Sequence, residues 1–281
     1  MSAPWRLITT FGAPPNFNMG LDEALLELGE RPTLRLYTWS PDTLSLGYFQ
    51  KLTDVPERAQ ASHIVRRITG GGAIHHTGEL TFSFTTGVSD HLYRGNVADS
   101  YVRIHRAVMH ALAKVGIRAQ LACGDAGAAV SGSLDAESST GSAIVAPPNA
   151  SAATSTCAAS NPQPPVDSDQ EGTGMCFHKS TPQDILWGNK KGVGSAQRRR
   201  NGRVLHHGSI KLATSKLEGN IATIGETDGT LTPQTFAPLL LDSFQATLGL
   251  QFERGVPNPV ELEQAAILEP RYSSEEFLNR R

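Results

Sequence analysis

One long segment in the middle of the chain has a composition that a protein core cannot use. Between Leu121 and Gly174 the sequence consists mainly of Ala, Ser, Gly, Thr and Pro, with almost no large apolar residue. Such a segment cannot bury enough apolar surface to offset the conformational entropy that its ordering would cost. We therefore expect residues 121–174 to be a disordered low-complexity insertion, with an ordered surface loop as the alternative. The folded domain then consists of two parts, residues 1–120 and 175–281.

The remaining sequence is typical of a soluble protein from a reducing compartment. The net charge is −2, and the segment from Gly124 to Gly174 contains acidic residues but no Lys or Arg. The folded parts are thus mildly basic, which favours an acidic protein partner over nucleic acid or a membrane surface. The three cysteines include no C-x-x-C pair, the first residues lack a signal peptide, and no apolar run is long enough to span a bilayer. We expect a cytoplasmic, monomeric protein.

Hydrophobic periodicity predicts strands and helices without regular alternation between them. Asn18 is positioned to cap the first helix. The predicted strands are Leu34–Trp39, Leu44–Phe49, His63–Ile68, Leu80–Thr86, Asp184–Trp187 and Val204–Ala213. The predicted helices are Asn18–Leu28, Ala98–Val115, Pro233–Leu248 and Pro259–Leu268. This order predicts an α+β fold in which helices flank a mixed, mainly antiparallel β-sheet.

A run of three glycines lies between two predicted strands and follows two arginines. This segment reads RRITGGGAIHHTGELTFS from Arg66 to Ser83. Consecutive glycines cost backbone entropy, and they are useful where the backbone must approach a ligand and offer N–H groups to an anion or a carbonyl. Arg66 and Arg67 can pair with a phosphate or carboxylate, or brace the loop. The segment matches neither a dinucleotide-binding motif nor a P-loop, and a plain glycine-rich hairpin is the alternative.

A cysteine, a lysine and a run of small residues follow the insertion. The segment reads MCFHKSTPQDILWGNKKGVGSAQRRRNGRVLHHGSIK. A thiol becomes a good nucleophile when it ionises, and a nearby cation favours that ionisation. Cys176 is therefore a candidate nucleophile and Lys191 the candidate cation, while Gly194, Ser195 and Ala196 predict a tight turn with free N–H groups. A buried core position is the alternative for the cysteine.

Two other kinds of site compete with this interpretation. Cys176, His178, His206 and His207 are possible zinc ligands, but their spacing fits no usual zinc motif. The basic run Arg198–Arg200 resembles a nucleic-acid contact, yet without interleaved aromatic residues a solvated face or a protein-docking surface is the better interpretation. We therefore expect no metal site and no nucleic-acid partner.

Several blocks in the same order resemble the lipoate–protein ligase and octanoyltransferase family. The matching blocks are Asn18-Met19 with Asp22-Glu23-Ala24-Leu25; Tyr37-x-Trp39; Ser45-Leu46-Gly47-x-x-Gln50; Arg66-Arg67-x-Thr69-Gly70-Gly71-Gly72-Ala73 with His76, Gly78, Leu80 and Ser83; Lys191-x-x-Gly194-Ser195-Ala196-Gln197; and His207-Gly208-Ser209. Cys176, ahead of Thr181 and Asp184, lies where the cysteine–lysine octanoyltransferases of this family carry their cysteine. Two features depart from the family pattern: His206, where these transferases often carry glutamine, and the long insertion.

The resemblance implies a biotin/lipoate ligase-like fold, related to class II synthetases, and an acyltransferase with Cys176 and Lys191 as catalytic residues. Such an enzyme takes an octanoyl or lipoyl-type group from an acyl-carrier-protein thioester and passes it to a lysine of a lipoyl domain or glycine-cleavage H protein, without a cofactor. Its catalytic domain would comprise both folded parts of the chain. The substrate-binding residues would be Arg66, Gly70, Gly71, Gly72, Ala73, Ile74, His76, Ser83, Gly194, Ser195, Ala196, His207 and Gly208.

The resemblance also leaves alternatives open. In the transferase, N–H groups of Gly71–Ala73 or Gly194–Ala196 would stabilise the oxyanion, and His76 or His207 would accept the proton of the attacking lysine. An ATP-dependent lipoate–protein ligase would instead hold a lipoyl-adenylate, with ATP and Mg, in the same loops. A non-catalytic lipoyl-domain binding module would bind without acyl transfer. A biotin ligase is disfavoured because its G-R-G-R-x-G-type loop is absent.

Overall fold

A computed structural model describes residues 3–124 and 165–280, which contain two β-sheets. The strands in chain order are β1 (Trp5–Ala13), β2 (Thr33–Trp39), β3 (Thr43–Leu46), β4 (His63–Arg66), β5 (Ile74–His76), β6 (Glu79–Gly87), β7 (Gln120–Leu121), β8 (Ile185–Trp187), β9 (Lys190–Arg200), β10 (Arg203–Lys211) and β11 (Phe252–Arg254). The larger sheet has the order β11-β1-β2-β6-β10-β9-β8-β7, and the smaller has the order β4-β3-β5. Strand β1 runs parallel to β2 and β11, and β3 parallel to β4, whereas the other pairs are antiparallel. The predicted α+β class with a mainly antiparallel sheet is confirmed.

Helices cover both faces of the larger sheet. They are α1 (Pro15–Leu28), α2 (Val97–Lys114), α3 (Pro233–Leu248), α4 (Pro259–Tyr272) and the short α5 (Glu275–Leu278). Leu7 of β1 packs in the core cluster that contains α2 and α3, while its neighbour Ile8 packs with α1 and α4. Because successive strand residues point to opposite faces, this alternation places the sheet between the two helix pairs. No helix within the described ranges has the length and apolar character needed to cross a membrane.

The first helix begins earlier than the sequence predicts. It starts at Pro15, with Pro14 in the cap position and no side-chain cap. Proline suits the first helical position because the N–H that it lacks would have no helical partner there. Asn18 is therefore not the cap: it lies inside the helix, fully buried, and its side-chain amide donates to the carbonyl of Thr38 (3.1 Å).

The predicted tight turn at Gly194-Ser195-Ala196 is wrong, because these residues lie within the long strand β9. They pair with β10 along an antiparallel ladder. The sequence signal for this strand lies in its flanking turns, Gly188-Asn189 and Asn201-Gly202, whose four φ angles lie between 51° and 71°. Two consecutive left-handed residues are what a two-residue hairpin turn requires.

The two described ends of the predicted insertion are packed against the fold. Leu121 forms part of β7, and the buried Ser168 accepts a backbone hydrogen bond from β9. The side chain of Asn189 donates to Pro165 and Asp167 (3.1 and 2.8 Å). The described ends of the predicted insertion, residues 121–124 and 165–174, are thus ordered: Leu121 packs in the main hydrophobic core, and the later residues make polar contacts. Residues 125–164 lie outside the described residues, and the proposed division of the chain stays a prediction.

Candidate active site

The cysteine that the sequence singles out begins a single 3₁₀ turn, Cys176–His178, and is partly exposed. Its amide donates to the carbonyl of Ala73 (2.7 Å), and the amide of Ala73 donates to the carbonyl of Gly174 (2.9 Å). Gly72 has to be glycine here, because a Cβ atom would lie 2.9 Å from the Cys176 nitrogen. The glycine run therefore fixes the backbone of the cysteine.

Lys191 of β9 directs its ammonium group at this thiol. Its Nζ lies 3.6 Å from Cys176 Sγ and 2.7 Å from Asp184 Oδ2, and it donates to the carbonyls of Cys176 and Lys179 (2.8 and 3.1 Å). The lysine is 2% exposed. Burial alone would lower the pKa of Lys191, but the negative charges of a Cys176 thiolate and of Asp184 outweigh burial and raise it. Lys191 is thus a cation at neutral pH, and Asp184 orients it.

Two cavities meet at the thiol. An inner pocket lies between the two sheets and is lined by residues of both. A wider, open groove reaches the thiol from the surface. Gly71, Cys176 and Ser195 line both cavities. A chain bound in the pocket and a second molecule bound in the groove would therefore meet at the thiol.

Most of the residues predicted for substrate binding line these cavities. Those in the inner pocket are Gly70, Gly71, Ile74, His76, Gly194, Ser195, Ala196, His207 and Gly208, and Gly72 and Lys191 lie in the groove. Pocket residues that the sequence did not indicate as site residues are Met19, Tyr37, Trp39, Ser45, Thr81 and Ser209. Strand alternation was the available signal for some of them, because Tyr37 and Trp39 must face the same side of β2. The binding roles of all these residues stay predictions.

Three residues predicted to bind substrate line neither cavity. Arg66 is fully buried and its side chain donates only to backbone carbonyls. Ser83 is fully buried and donates to Asp22 (2.8 Å). Ala73 is buried, and its amide is bonded to the carbonyl of Gly174. The fold uses the polar groups of these residues, and their predicted binding roles stay predictions.

Arg67 lines the inner pocket and braces the glycine run. Its side chain donates to the carbonyls of Gly70 and Gly72 (both 2.7 Å) and to the carbonyl of Ser45 (3.0 Å). Burial lowers the pKa of Arg67 to about 10, although the negative charge of a Cys176 thiolate opposes this shift. Arg67 thus holds the loop in shape and supplies a second positive charge near the thiol.

Ser195 connects two fully buried histidines. Its Oγ lies 2.7 Å from His105 Nε2 and 2.9 Å from His206 Nε2. His105 Nδ1 faces the carbonyl of Gln183 and therefore carries the proton, so its Nε2 accepts from Ser195. Gln197 Nε2 donates to His206 Nδ1 (3.0 Å), so His206 donates to the serine oxygen. Burial lowers the pKa of both histidines, which keeps them neutral.

His76 and His207 line the inner pocket, and all their ring nitrogens have hydrogen-bond partners. His76 contacts Glu79 (2.6 Å) and a serine hydroxyl (2.7 Å). His207 contacts Asp22 (3.3 Å) and a threonine hydroxyl (2.7 Å). Burial lowers the pKa of His76 to about 4, against the opposing charge of Glu79. These contacts favour a role in shaping the pocket over the predicted role in proton transfer.

The histidines considered as zinc ligands point to different partners. His178 contacts the Thr173 hydroxyl and the Glu218 carbonyl (2.9 and 2.6 Å), while His206 and His207 make the contacts given above. Among residues 3–124 and 165–280, no three His, Cys, Asp or Glu side chains are arranged to hold a metal ion.

A partly exposed thiol beside a charged lysine, where a pocket meets an open groove, is the arrangement expected of a cysteine acyl-transfer site. Residues 14–222 match the family described as the lipoyl protein ligase A/B catalytic domain. The chain therefore belongs to this family, as its sequence blocks indicate.

Two relatives carry the name octanoyltransferase LipM. The protein of Moorella thermoacetica is 34% identical over 218 residues, which cover 74% of this chain and 65% of that protein. The protein of Symbiobacterium thermophilum is 32% identical over 221 residues, which cover 75% of this chain and 66% of that protein. The matches thus span just under two thirds of the length of these relatives.

Solved structures of lipoate ligases share the fold. A lipoate-protein ligase A bound with ATP superimposes with a TM-score of 0.68 at 21% identity, over 99% of both chains. A bi-partite lipoate protein ligase from Thermoplasma acidophilum, studied with its E2 lipoyl domain, gives a TM-score of 0.67 at 19% identity, over 99% of this chain and 97% of that one. At this identity the likeness establishes the fold alone, and it confirms the predicted lipoate ligase-like architecture.

Proposed function

We propose that this protein transfers an octanoyl or lipoyl-type group from an acyl-carrier-protein thioester to a lysine of a lipoyl domain or glycine-cleavage H protein, through a thioester on Cys176. The observation that carries this proposal is the 3.6 Å separation between Cys176 Sγ and the charged Lys191. The names of the bacterial relatives support octanoyl transfer. The reaction needs no cofactor, because the donor thioester is already activated.

In the first half-reaction, the Cys176 thiolate attacks the carbonyl carbon of the donor, and the donor's thiolate leaves. Lys191 stabilises the attacking thiolate and then the oxyanion. Within the described parts of the chain, the amides of Gly71 and Gly72 make no hydrogen bond. They are free to donate to the oxyanion. The amide of Ala73, which was also expected to donate, is already bonded to the carbonyl of Gly174.

In the second half-reaction, the acceptor amine attacks the thioester on Cys176. The new C–N bond forms as the C–S bond breaks, the thiolate leaves, and the amine must lose a proton. Ser195 lines both cavities and its hydroxyl donates to His105. The serine oxygen can therefore take the amine proton while passing its own to His105 Nε2. His206 donates to the same oxygen and fixes its orientation.

Intact mass spectrometry tests this proposal. Wild-type protein incubated with octanoyl-acyl-carrier protein and no ATP should gain one octanoyl group, labile to hydroxylamine and mapped to Cys176. The Cys176→Ala variant should gain none, and Ser195→Ala should acylate but pass the group to a lipoyl domain more slowly. A wild type without adduct, together with ATP-driven transfer by Cys176→Ala, would overturn the proposal in favour of a ligase. Binding without any transfer would support a non-catalytic module.

A further inference from the structure

A second pocket, close to the groove, is surrounded by four arginines. Arg198, Arg200, Arg271 and Arg280 line it, together with the carboxylate of Glu23. Glu23 pairs with Arg271, and Arg200 pairs with a glutamate of α1 (3.0 Å). Within the described residues, the side chains of Arg198 and Arg280 make neither an ion pair nor a hydrogen bond. The pocket therefore has more positive charge than its own acids neutralise.

The two unpaired arginines stack on one tyrosine. The guanidinium carbons of Arg198 and Arg280 lie 5.0 and 4.2 Å from the centre of the Tyr48 ring. Stacking leaves the N–H groups at the edge of a guanidinium free to donate. In the same pocket, the buried Nε of Arg271 has no hydrogen-bond partner within residues 3–124 and 165–280. A bound anion would reduce the repulsion between these cations and accept several charge-assisted hydrogen bonds.

A short stretch of chain connects this pocket with the active-site groove. Phe49 packs edge-on against Tyr48 (5.0 Å between ring centres), is 74% exposed, and lines the groove. Gln50 donates to the carbonyl of Gly174 (2.6 Å), two residues before Cys176. Because Tyr48 lines the arginine pocket and Phe49, the next residue, lines the groove, the pocket adjoins the groove in which the thiol lies.

We propose that the arginine pocket binds the phosphate of a phosphopantetheine-type arm on the acyl donor. This inference rests on the proposed function, in which the donor is a carrier protein whose acyl group sits at the end of such an arm. Arg66 and Arg67, which the sequence suggests could pair with a phosphate, donate to backbone carbonyls instead. Among the described residues, no acceptor takes the side-chain N–H groups of Arg198 and Arg280.

Binding measurements test the site without requiring catalysis. Calorimetry on Cys176→Ala should show that 4′-phosphopantetheine binds at least tenfold more tightly than pantetheine, which lacks only the phosphate. Adding Arg198→Gln and Arg280→Gln should abolish this difference. Arg199→Gln is the matched control, because Arg199 does not line the pocket, and it should keep the difference. Equal binding of the two ligands, or inorganic phosphate binding as tightly as phosphopantetheine, would overturn the proposal.

Acylation kinetics separate this site from the catalytic proposal. Octanoyl-phosphopantetheine should acylate the wild type at least tenfold faster than octanoyl-pantetheine at equal low concentration. The Arg198→Gln, Arg280→Gln variant should lose that preference and react normally with octanoyl-pantetheine. If neither donor gives an adduct but phosphopantetheine still binds more tightly than pantetheine, the proposed acyl transfer is refuted and the phosphate site is supported. If both donors acylate Cys176 equally well, the phosphate site is refuted and the proposed acyl transfer is supported.

Discussion

Replacing Lys191 with methionine should slow thioester formation on Cys176 by about two to three orders of magnitude. The ammonium lies 3.6 Å from the sulfur, and at that distance two unit charges interact by about 4–5 kcal/mol at an effective dielectric constant of about 20. Asp184, at 2.7 Å from the ammonium, offsets part of this attraction. A remainder of about 3–4 kcal/mol corresponds to roughly 100- to 1,000-fold in rate, because each 1.36 kcal/mol is tenfold.

The assay follows the octanoyl adduct by intact mass against time. Lys190→Met is the matched control, because Lys190 precedes Lys191 on the opposite face of β9 and lies 3.8 Å from Glu226. It should react within twofold of wild type. Lys191→Met leaves Asp184 buried and unpaired, at a cost of about 3–5 kcal/mol in the free energy of unfolding, so thermal melting must show a folded variant. A folded Lys191→Met that acylates within threefold of wild type would refute the reasoning.

Two further predictions concern the buried charges beside the inner pocket. Lys211 is fully buried between Glu79 and Glu218 (2.8 and 2.7 Å). Lys211→Met should therefore lower the free energy of unfolding by about 3–5 kcal/mol and Tm by roughly 10 °C. An unchanged Tm in scanning calorimetry would contradict this prediction. Burial lowers the pKa of His76 from 6.5 to about 4, so the unfolded chain takes up this proton first as pH falls. The free energy of unfolding should therefore decrease by roughly 3 kcal/mol between pH 6.5 and 4. Denaturant titrations of His76→Gln should lack this decrease. A variant whose pH profile equals that of the wild type would contradict the prediction.

The helices and strands that could be predicted from the sequence are those whose apolar residues recur at the spacing typical of a helix or a strand. Helix α2 is one, with Ile104, Val108 and Leu112 all buried on one side. Strand β9 could not be found this way, because it carries glycines and arginines in place of an alternating apolar pattern. Its extended state depends on pairing with β10 and on the tight turns at its ends.

The candidate catalytic side chains could be proposed from their chemistry, but their contacts with distant residues could not. Cys176 and Lys191 are candidates because a nearby cation favours ionisation of a thiol, which nucleophilic acyl transfer requires. His105 reaches Ser195 from a different element, α2, far away in the chain, and no local pattern encodes that contact. The same limit applies to the arginines, because only tertiary contacts decide that Arg66 is occupied and Arg198 is free.

The backbone around Cys176 is held by contacts with segments that are distant in the sequence. Cys176 is tied to Ala73, and Asp167 is tied to the β8–β9 turn through Asn189. Both attachments involve residues outside the stretch 125–164. We expect homologues to differ most in length at this point, and it offers a place to insert a tag or a second domain near the groove.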